Sequence, residues 1–200
     1  MGPSGPAIPE GSWDYDVVVV GGGPGGEDCA RDLAGHGLKV ALVNDAPFPG
    51  GECLWRGCIP SKAWRAAADR IRDRLDDSHL GISSGKSTLD WTKLAATRRH
   101  VLETRGDMAF ETDKGRKIKY AHGFGRFVDG HTLFIDTSGN TDDAHARATV
   151  GDKPQCESVT VGCAVIATGA PPWVPPVPGA IAGLAAGGGV LTSAPVWMRA

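Results

Sequence analysis

The chain has 200 residues, enough for one domain, or one and a fraction, with a substantial core. Its 21 basic and 23 acidic residues leave a net charge of −2 with no basic block, so neither a nucleic acid nor an anionic membrane surface is an expected partner. No apolar run approaches the roughly 18–20 residues that span a bilayer, and five cysteines in a chain that opens without a signal-peptide pattern argue for a reducing, cytoplasmic setting.

Residues 1–14, MGPSGPAIPEGSWD, are rich in Gly and Pro and read as a disordered tail. Residues 16–20, DVVVV, form an unbroken β-branched run bounded by glycine, the pattern of a buried parallel strand. The loop Gly21-Gly22-Gly23-Pro24-Gly25-Gly26 follows at once and contains GxGxxG at Gly21, Gly23 and Gly26. In such a loop the first glycine allows a tight turn, the second lets backbone approach a pyrophosphate, and the third lets helix and strand pack closely. A helix to about residue 36 is expected next, with Ala30, Leu33 and Ala34 facing the sheet and Gly35 and Gly37 ending it. Residues 38–43, LKVALV, are the second strand. A lone GxGxxG is weak, but one set between a strand and a helix with a second strand at βαβ spacing is a strong dinucleotide signal.

Residues 50–62 read GGECLWRGCIPSK and hold Cys53 and Cys58. Pro60 suits the first turn of a helix, where its missing N–H would have no partner in any case. Cys58 then sits at or just before a helix N-terminus, whose dipole favours a thiolate. A thiol five residues earlier can close a disulfide with it. A structural staple is the bland alternative, yet closing so short a loop restricts the unfolded chain by only roughly 2 kcal/mol. A zinc site would want a second close pair, and none follows at zinc-finger spacing. The chemistry favours a redox-active pair over a structural one.

Residues 61–75 carry Ala63, Ala67, Ile71 and Leu75 at helical spacing, a stripe read mostly as core. A second helix is expected from Asp90, as N-cap, to about residue 113, burying Trp91, Leu94, Val101 and Leu102 and turning its arginines to solvent. Strands follow at residues 117–120, 123–127, 132–135 and 159–166, with a polar hairpin or excursion at 138–152. The last strand leads into Ala167-Thr168-Gly169, and residues 171–179, PPWVPPVPG, form a stiff connector. Cys29, Cys156 and Cys163 are isolated and read as small packing residues. The six histidines show no metal-ligand pairing, so no metal site is expected.

The segment GGECLWRGCIPSK resembles the active-site segment of the class I pyridine nucleotide–disulfide oxidoreductases, the flavin-dependent reductases that act on lipoamide, glutathione or mercuric ion. Its spelling between the cysteines is closer to dihydrolipoamide dehydrogenase and mercuric reductase. The resemblance implies a Rossmann-like α/β FAD-binding domain over residues 15–170, a parallel sheet flanked by helices with a small antiparallel meander. It also implies that residues 171–200 connect toward a nicotinamide-binding domain outside this chain, which is expected to cover about the first half of a family member. In that scheme hydride from NAD(P)H reaches FAD, the electrons pass to a Cys53–Cys58 disulfide, and the dithiol reduces a small disulfide or metal-ion substrate. Cys53 would exchange with substrate, Cys58 would face the flavin, and Lys62 would stabilise the reduced ring.

The same resemblance places cofactor contacts at Gly21, Gly23, Pro24 and Gly26, at Gly51 and Glu52, at Phe124 and Gly125, and at Ala167, Thr168 and Gly169. Asn44, with Asp45 beside it, stands where the family has a ribose-binding Glu, and Glu52 stands where it has Thr. Glu27 and Asp28 would repel a pyrophosphate, so weaker cofactor binding is expected. Family members are homodimers through a domain not expected in this chain, which alone would show little NAD(P)H-dependent turnover. A flavin-binding or electron-carrier module, or an inactive fragment, stay open as alternatives.

Overall fold

Strands without polar alternation must be covered on both faces, and the centre of this fold shows how. In a computed structural model, described here for residues 8–46, 48–83, 85–136, 156–185 and 192, Val17–Val20 and every residue of Val40–Asn44 are buried. The elements run β1 (Tyr15–Val20), α1 (Pro24–Gly35), β2 (Val40–Asn44), α2 (Gly51–Arg56), α3 (Cys58–Asp76), a 3-10 turn (Asp77–Leu80), α4 (Trp91–Gly115), β3 (Lys119–His122), β4 (Phe124–Phe127), β5 (Thr132–Asp136), β6 (Glu157–Ile166) and α5 (Ala180–Ala185). They divide into two compact units, Met1–Gly51 with Gly106–Gly169 and Glu52–Arg105 with Ala170–Ala200.

The first unit holds one sheet in the order β3-β2-β1-β6-β5-β4. Strands β3, β2, β1 and the C-terminal part of β6 are parallel, whereas β6, β5 and β4 pair antiparallel. β6 joins the two halves because its ten residues are long enough to serve both: Val161–Ile166 align with β1, and Glu157–Thr160 with β5. This is the expected Rossmann-like α/β arrangement with a meander.

Alternation along β1 and β2 decides what covers each face. Val18, Val20, Ala41 and Val43 pack with Leu133, Ile135, Val159 and Val161 of the meander. Val17, Val19, Val40 and Leu42 pack with Ala30 of α1 and with Ile118, and Leu33 and Ala34 join that layer as the periodicity requires. α1 starts with Pro24 after Gly23 as N-cap. It ends in a left-handed Gly37 (φ 86°), where the Leu38 N–H reaches back to the Leu33 carbonyl.

Several boundaries differ from the sequence reading. The strand expected at residue 117 begins at Lys119, because Lys117 takes a left-handed turn (φ 61°) that leaves the α4 helix. Residues 51–56 form a helix that six residues without apolar periodicity do not announce, and α5 was likewise not legible. The tail does not read as disorder from residue 8 onward. Ile8 packs against the helix-side core, and Trp13 stacks on His131 at 4.6 Å. Asp14 accepts hydrogen bonds from both the N–H and the hydroxyl of Thr160. The expected hairpin at 138–152 and residues beyond Thr192 lie outside the described residues. No helix among the described residues is long and apolar enough to cross a membrane.

In the second unit, Asp90 caps α4 as expected, accepting from the Lys93 N–H at 3.1 Å. The buried side of α4 is not the expected one. Leu102 is buried and Leu94 half-buried, but Trp91 is 59% exposed and Val101 is exposed too. Arg98, expected on a solvated face, is only 3% exposed. Ala63, Ala67 and Ile71 of α3 are half-buried rather than core.

Two expectations follow. Leu133 is fully buried between the sheet layers, so Leu133→Ala should cost about 2–5 kcal/mol in a denaturant titration. The hydrogen bonds from Thr160 hold the Asp14 carboxyl below its ordinary range. Its contribution is therefore present at neutral pH and lost as pH falls through that depressed value. The melting-temperature gap between the parent and Asp14→Asn should close on acidification below the ordinary aspartate range, and a gap independent of pH would contradict this.

Candidate cofactor and redox site

The C-terminal ends of β1, β2 and β6 converge in the first unit, and each is followed by a segment singled out from the sequence. Gly21 has a left-handed backbone (φ 108°), and a Cβ there would lie 2.2 Å from the Ala167 carbonyl oxygen. A Cβ on Gly26 would lie 1.9 Å from the Gly21 oxygen. These two glycines are therefore fixed by packing: the first by the turn and by its contact with Ala167, the third by the approach of α1 to the strand. Gly23 differs, since a Cβ there would meet nothing within 4 Å. Its bare backbone opens onto space at the N-terminus of α1, where first-turn N–H groups and the helix dipole suit an anion.

The other first-unit residues close around this loop. Gly50 donates to the Gly22 carbonyl, and a Cβ on Gly51 would lie 2.5 Å from the Gly23 Cα. Ala167 donates to the Val20 carbonyl, bringing Ala167-Thr168-Gly169 beside the turn. Gly123 donates to the Asn44 carbonyl, and a Cβ on Gly125 would make ordinary contact with Val43 and Leu133, at 3.4–3.5 Å. Phe124 between them is exposed. Pro24 and Asp45 are exposed at the same end.

Asn44 is buried and engaged with protein on every side. Its Oδ1 accepts from the Gly22 N–H at 2.9 Å, and its Nδ2 donates to the Tyr120 hydroxyl at 3.0 Å and to the Ala46 and Phe48 carbonyls. Tyr120 in turn donates to the Ala46 carbonyl at 2.5 Å. Burial pushes the Tyr120 phenol well above its usual range, so it stays a donor. A neutral amide at the end of β2 thus braces the glycine loop from below. Sequence reasoning missed Tyr120; the sign available was its place in a strand, where it pairs directly with Leu42, two residues before Asn44.

Glu27 is also placed differently from the expectation. Its carboxylate is buried and paired with Arg31 one turn on. Arg31 also bonds Asp113 at 2.6 Å. The Glu27 charge is spent inside this cluster, and burial raises the proton affinity of both acids. Asp28 remains exposed.

Glu52, Cys53, Cys58 and Lys62 belong to the second unit. In a straight helix, residues five apart point roughly 140° away from each other. Here the chain breaks at Gly57, where a Cβ would press on the Glu52 carbonyl at 3.0 Å, and a new helix starts at Cys58. The break brings the two thiols into hydrogen-bonding contact. Ser61 locks the start of α3, its hydroxyl donating to the Cys58 carbonyl at 2.9 Å. The hydrogen bond with Cys58, then burial, raise the Cys53 pKa, and the nearby Lys62 ammonium opposes them. Cys53 is half-buried and Cys58 exposed. Glu52, in place of the usual hydroxyl residue, pairs with Arg56 at 3.3 Å.

Fold and loop together define a Rossmann-like FAD-binding α/β domain. Residues 15–197 match the family described as pyridine nucleotide-disulphide oxidoreductase, and the chain belongs to that family. A dihydrolipoyl dehydrogenase of Mycobacterium bovis is 38% identical over 156 residues, 78% of this chain and 30% of the relative. One from Acholeplasma laidlawii is 32% identical over 171 residues, 84% of this chain and 44% of the relative. A soluble pyridine nucleotide transhydrogenase of Salmonella gallinarum is 32% identical over 167 residues, 82% of this chain and 32% of the relative. The matched part of the chain covers 30–44% of these relatives' length.

Because the contact with Cys58 and burial raise the Cys53 pKa and Cys53 is the less exposed thiol, limiting iodoacetamide on the reduced chain without added flavin should label Cys58 first in peptide mass mapping. Lys62→Met should slow Cys53 labelling near pH 8 by about two- to threefold, since it removes the charge that favours the thiolate. Prior labelling of Cys53 would contradict the arrangement.

Proposed function

We propose that this chain is the FAD- and disulfide-bearing part of a dithiol–disulfide oxidoreductase of the dihydrolipoamide dehydrogenase type. The observation that carries the reading is the division of labour among the three loop glycines. Two are closed by packing, and Gly23 is left bare at a helix N-terminus, the place where a dinucleotide pyrophosphate needs backbone to approach.

Gly23, Pro24 and the first turn of α1 would hold the pyrophosphate. Asp45, together with whatever access the braced Asn44 leaves, would serve the ribose. Phe124, Gly125, Ala167, Thr168 and Gly169 would line the rest together with Gly51, and Glu52 stands by resemblance among the further cofactor contacts. Bound FAD would supply two-electron chemistry, accepting hydride from a reduced nicotinamide. The Cys53–Cys58 disulfide would take up two electrons and two protons as its S–S bond opens. The Cys53 thiolate would then attack a substrate disulfide, opening its S–S bond and forming a mixed disulfide, and the Cys58 thiolate would attack the Cys53 sulfur, re-forming the intramolecular bond and releasing the substrate, protonated, as a dithiol. Lys62, already close enough to favour the Cys53 thiolate, would hold negative charge on this side of the site. The paired thiols favour a lipoyl-type disulfide over the nucleotide-to-nucleotide transfer named for the transhydrogenase relatives.

A matched pair of variants tests the cofactor reading. Gly23→Ala adds a methyl group that meets no protein atom. It should melt close to the parent yet bind FAD at least about tenfold more weakly in equilibrium dialysis. Gly26→Ala should instead lose the fold of the loop and melt well below the parent. FAD affinity unchanged in Gly23→Ala would contradict the proposal. A second expectation concerns roles: loading FAD should shield Cys58 and reverse the alkylation order, so that Cys53 labels first.

A further inference from the structure

One turn into α1, a single guanidinium serves two buried carboxylates. Arg31 pairs through Nη2 with Glu27 and through Nε with Asp113 at 2.6 Å, and its Nη2 also donates to the Ala109 carbonyl at 3.1 Å. Glu27 and Asp113 are 7% and 1% exposed, and the Asp113 Oδ2 has no hydrogen-bond partner among the described residues. All of these groups belong to the first unit. With both acids ionised the trio carries one negative charge held out of water, and a single proton neutralises it.

The other charged and titratable groups facing the trio leave that charge in place. Asp28, on α1, adds a like charge beside Glu27. Arg116, just beyond α4, favours the Asp113 carboxylate from an exposed position, while its Nη1 donates to the Arg31 carbonyl at 3.2 Å. Tyr120, on β3, stays a neutral donor, and Asp45 acts on it with the same sign as the two acids. Burial is the largest influence on both Glu27 and Asp113, and it raises their proton affinity.

Position couples the trio to the cofactor site. The Glu27 N–H donates to the Gly23 carbonyl at 2.8 Å, so the acid stands one turn, about 6 Å along the axis, from the bare glycine assigned to the pyrophosphate. An anion arriving at Gly23 repels the charge of the trio, and protonation removes that repulsion.

We propose that the Glu27–Asp113 pair, clamped by Arg31, takes up one proton from solvent when the FAD pyrophosphate binds at Gly23; this rests on the cofactor reading above. The two acids share the proton as one coupled pair. The bound anion raises the pair's proton affinity further. FAD therefore binds most tightly where the pair is already protonated and more weakly as pH rises beyond that, above the ordinary glutamate range.

Titration calorimetry of the 200-residue chain with FAD, in PIPES and in imidazole, reads proton uptake from the difference in heat. Between about pH 5.5 and pH 8, uptake should peak at about half a proton per FAD or more, and the dissociation constant should rise about tenfold. Glu27→Gln keeps an acceptor for Arg31 and removes the excess charge. It should abolish the uptake and bind FAD at about pH 8 at least about fivefold tighter than the parent. Asp113→Asn removes the other acid and should do the same. FAD binding by the parent with no proton uptake anywhere in that range overturns this inference and leaves the cofactor reading standing. Uptake that persists in either folded variant overturns it too, and absence of FAD binding overturns both.

Discussion

The contact on which the first unit depends is backbone against backbone, where the chain leaving β1 presses on the chain leaving β6. Gly21 meets the Ala167 carbonyl with no room for a side chain, and Gly26 brings α1 down onto Gly21 just as closely. Parallel pairing of Val20 with both Val43 and Ile166 puts the ends of three strands at one level. Those two close approaches set the position of the α1 N-terminus over the sheet. Everything assigned to dinucleotide recognition in this unit is arranged around that point.

Asn44 adds a second constraint at the same end. An acid there would have to keep its charge solvated or neutralised by a ligand, whereas the amide satisfies its donors and acceptor within the protein and ties the loop to β3 through Tyr120. The glycine loop is thereby held in place by protein contacts, and less of the side chain would remain for the proposed ribose contact. Rigidity of the loop and strength of ribose recognition trade against each other at this one residue.

Much of the first unit was legible because its signals are local. The β-branched run before Gly21, the Pro and Gly at the two ends of α1, and the Asp90 cap each act within a few residues, so pattern and structure agree. Features that depend on distant partners were not legible. The Glu27 carboxylate looked like a threat to a bound phosphate because its partners, Arg31 and the remote Asp113, are chosen by tertiary packing. Arg98 looked solvated because nothing in its own helix announces Trp64. The short α2 helix has no periodicity to read, and the break at Gly57 that follows it shows only in the structure.

The account's central claim is that bound flavin and the Cys53–Cys58 pair share one electron pathway. Its most direct test is an absorbance titration of the FAD-loaded chain with a small dithiol under anaerobic conditions. The account predicts a new long-wavelength band as the disulfide opens and a thiolate comes to lie against the flavin, and predicts that Cys58→Ser abolishes it while retaining FAD. A spectrum unaltered by dithiol, or a band that persists in Cys58→Ser, would contradict it.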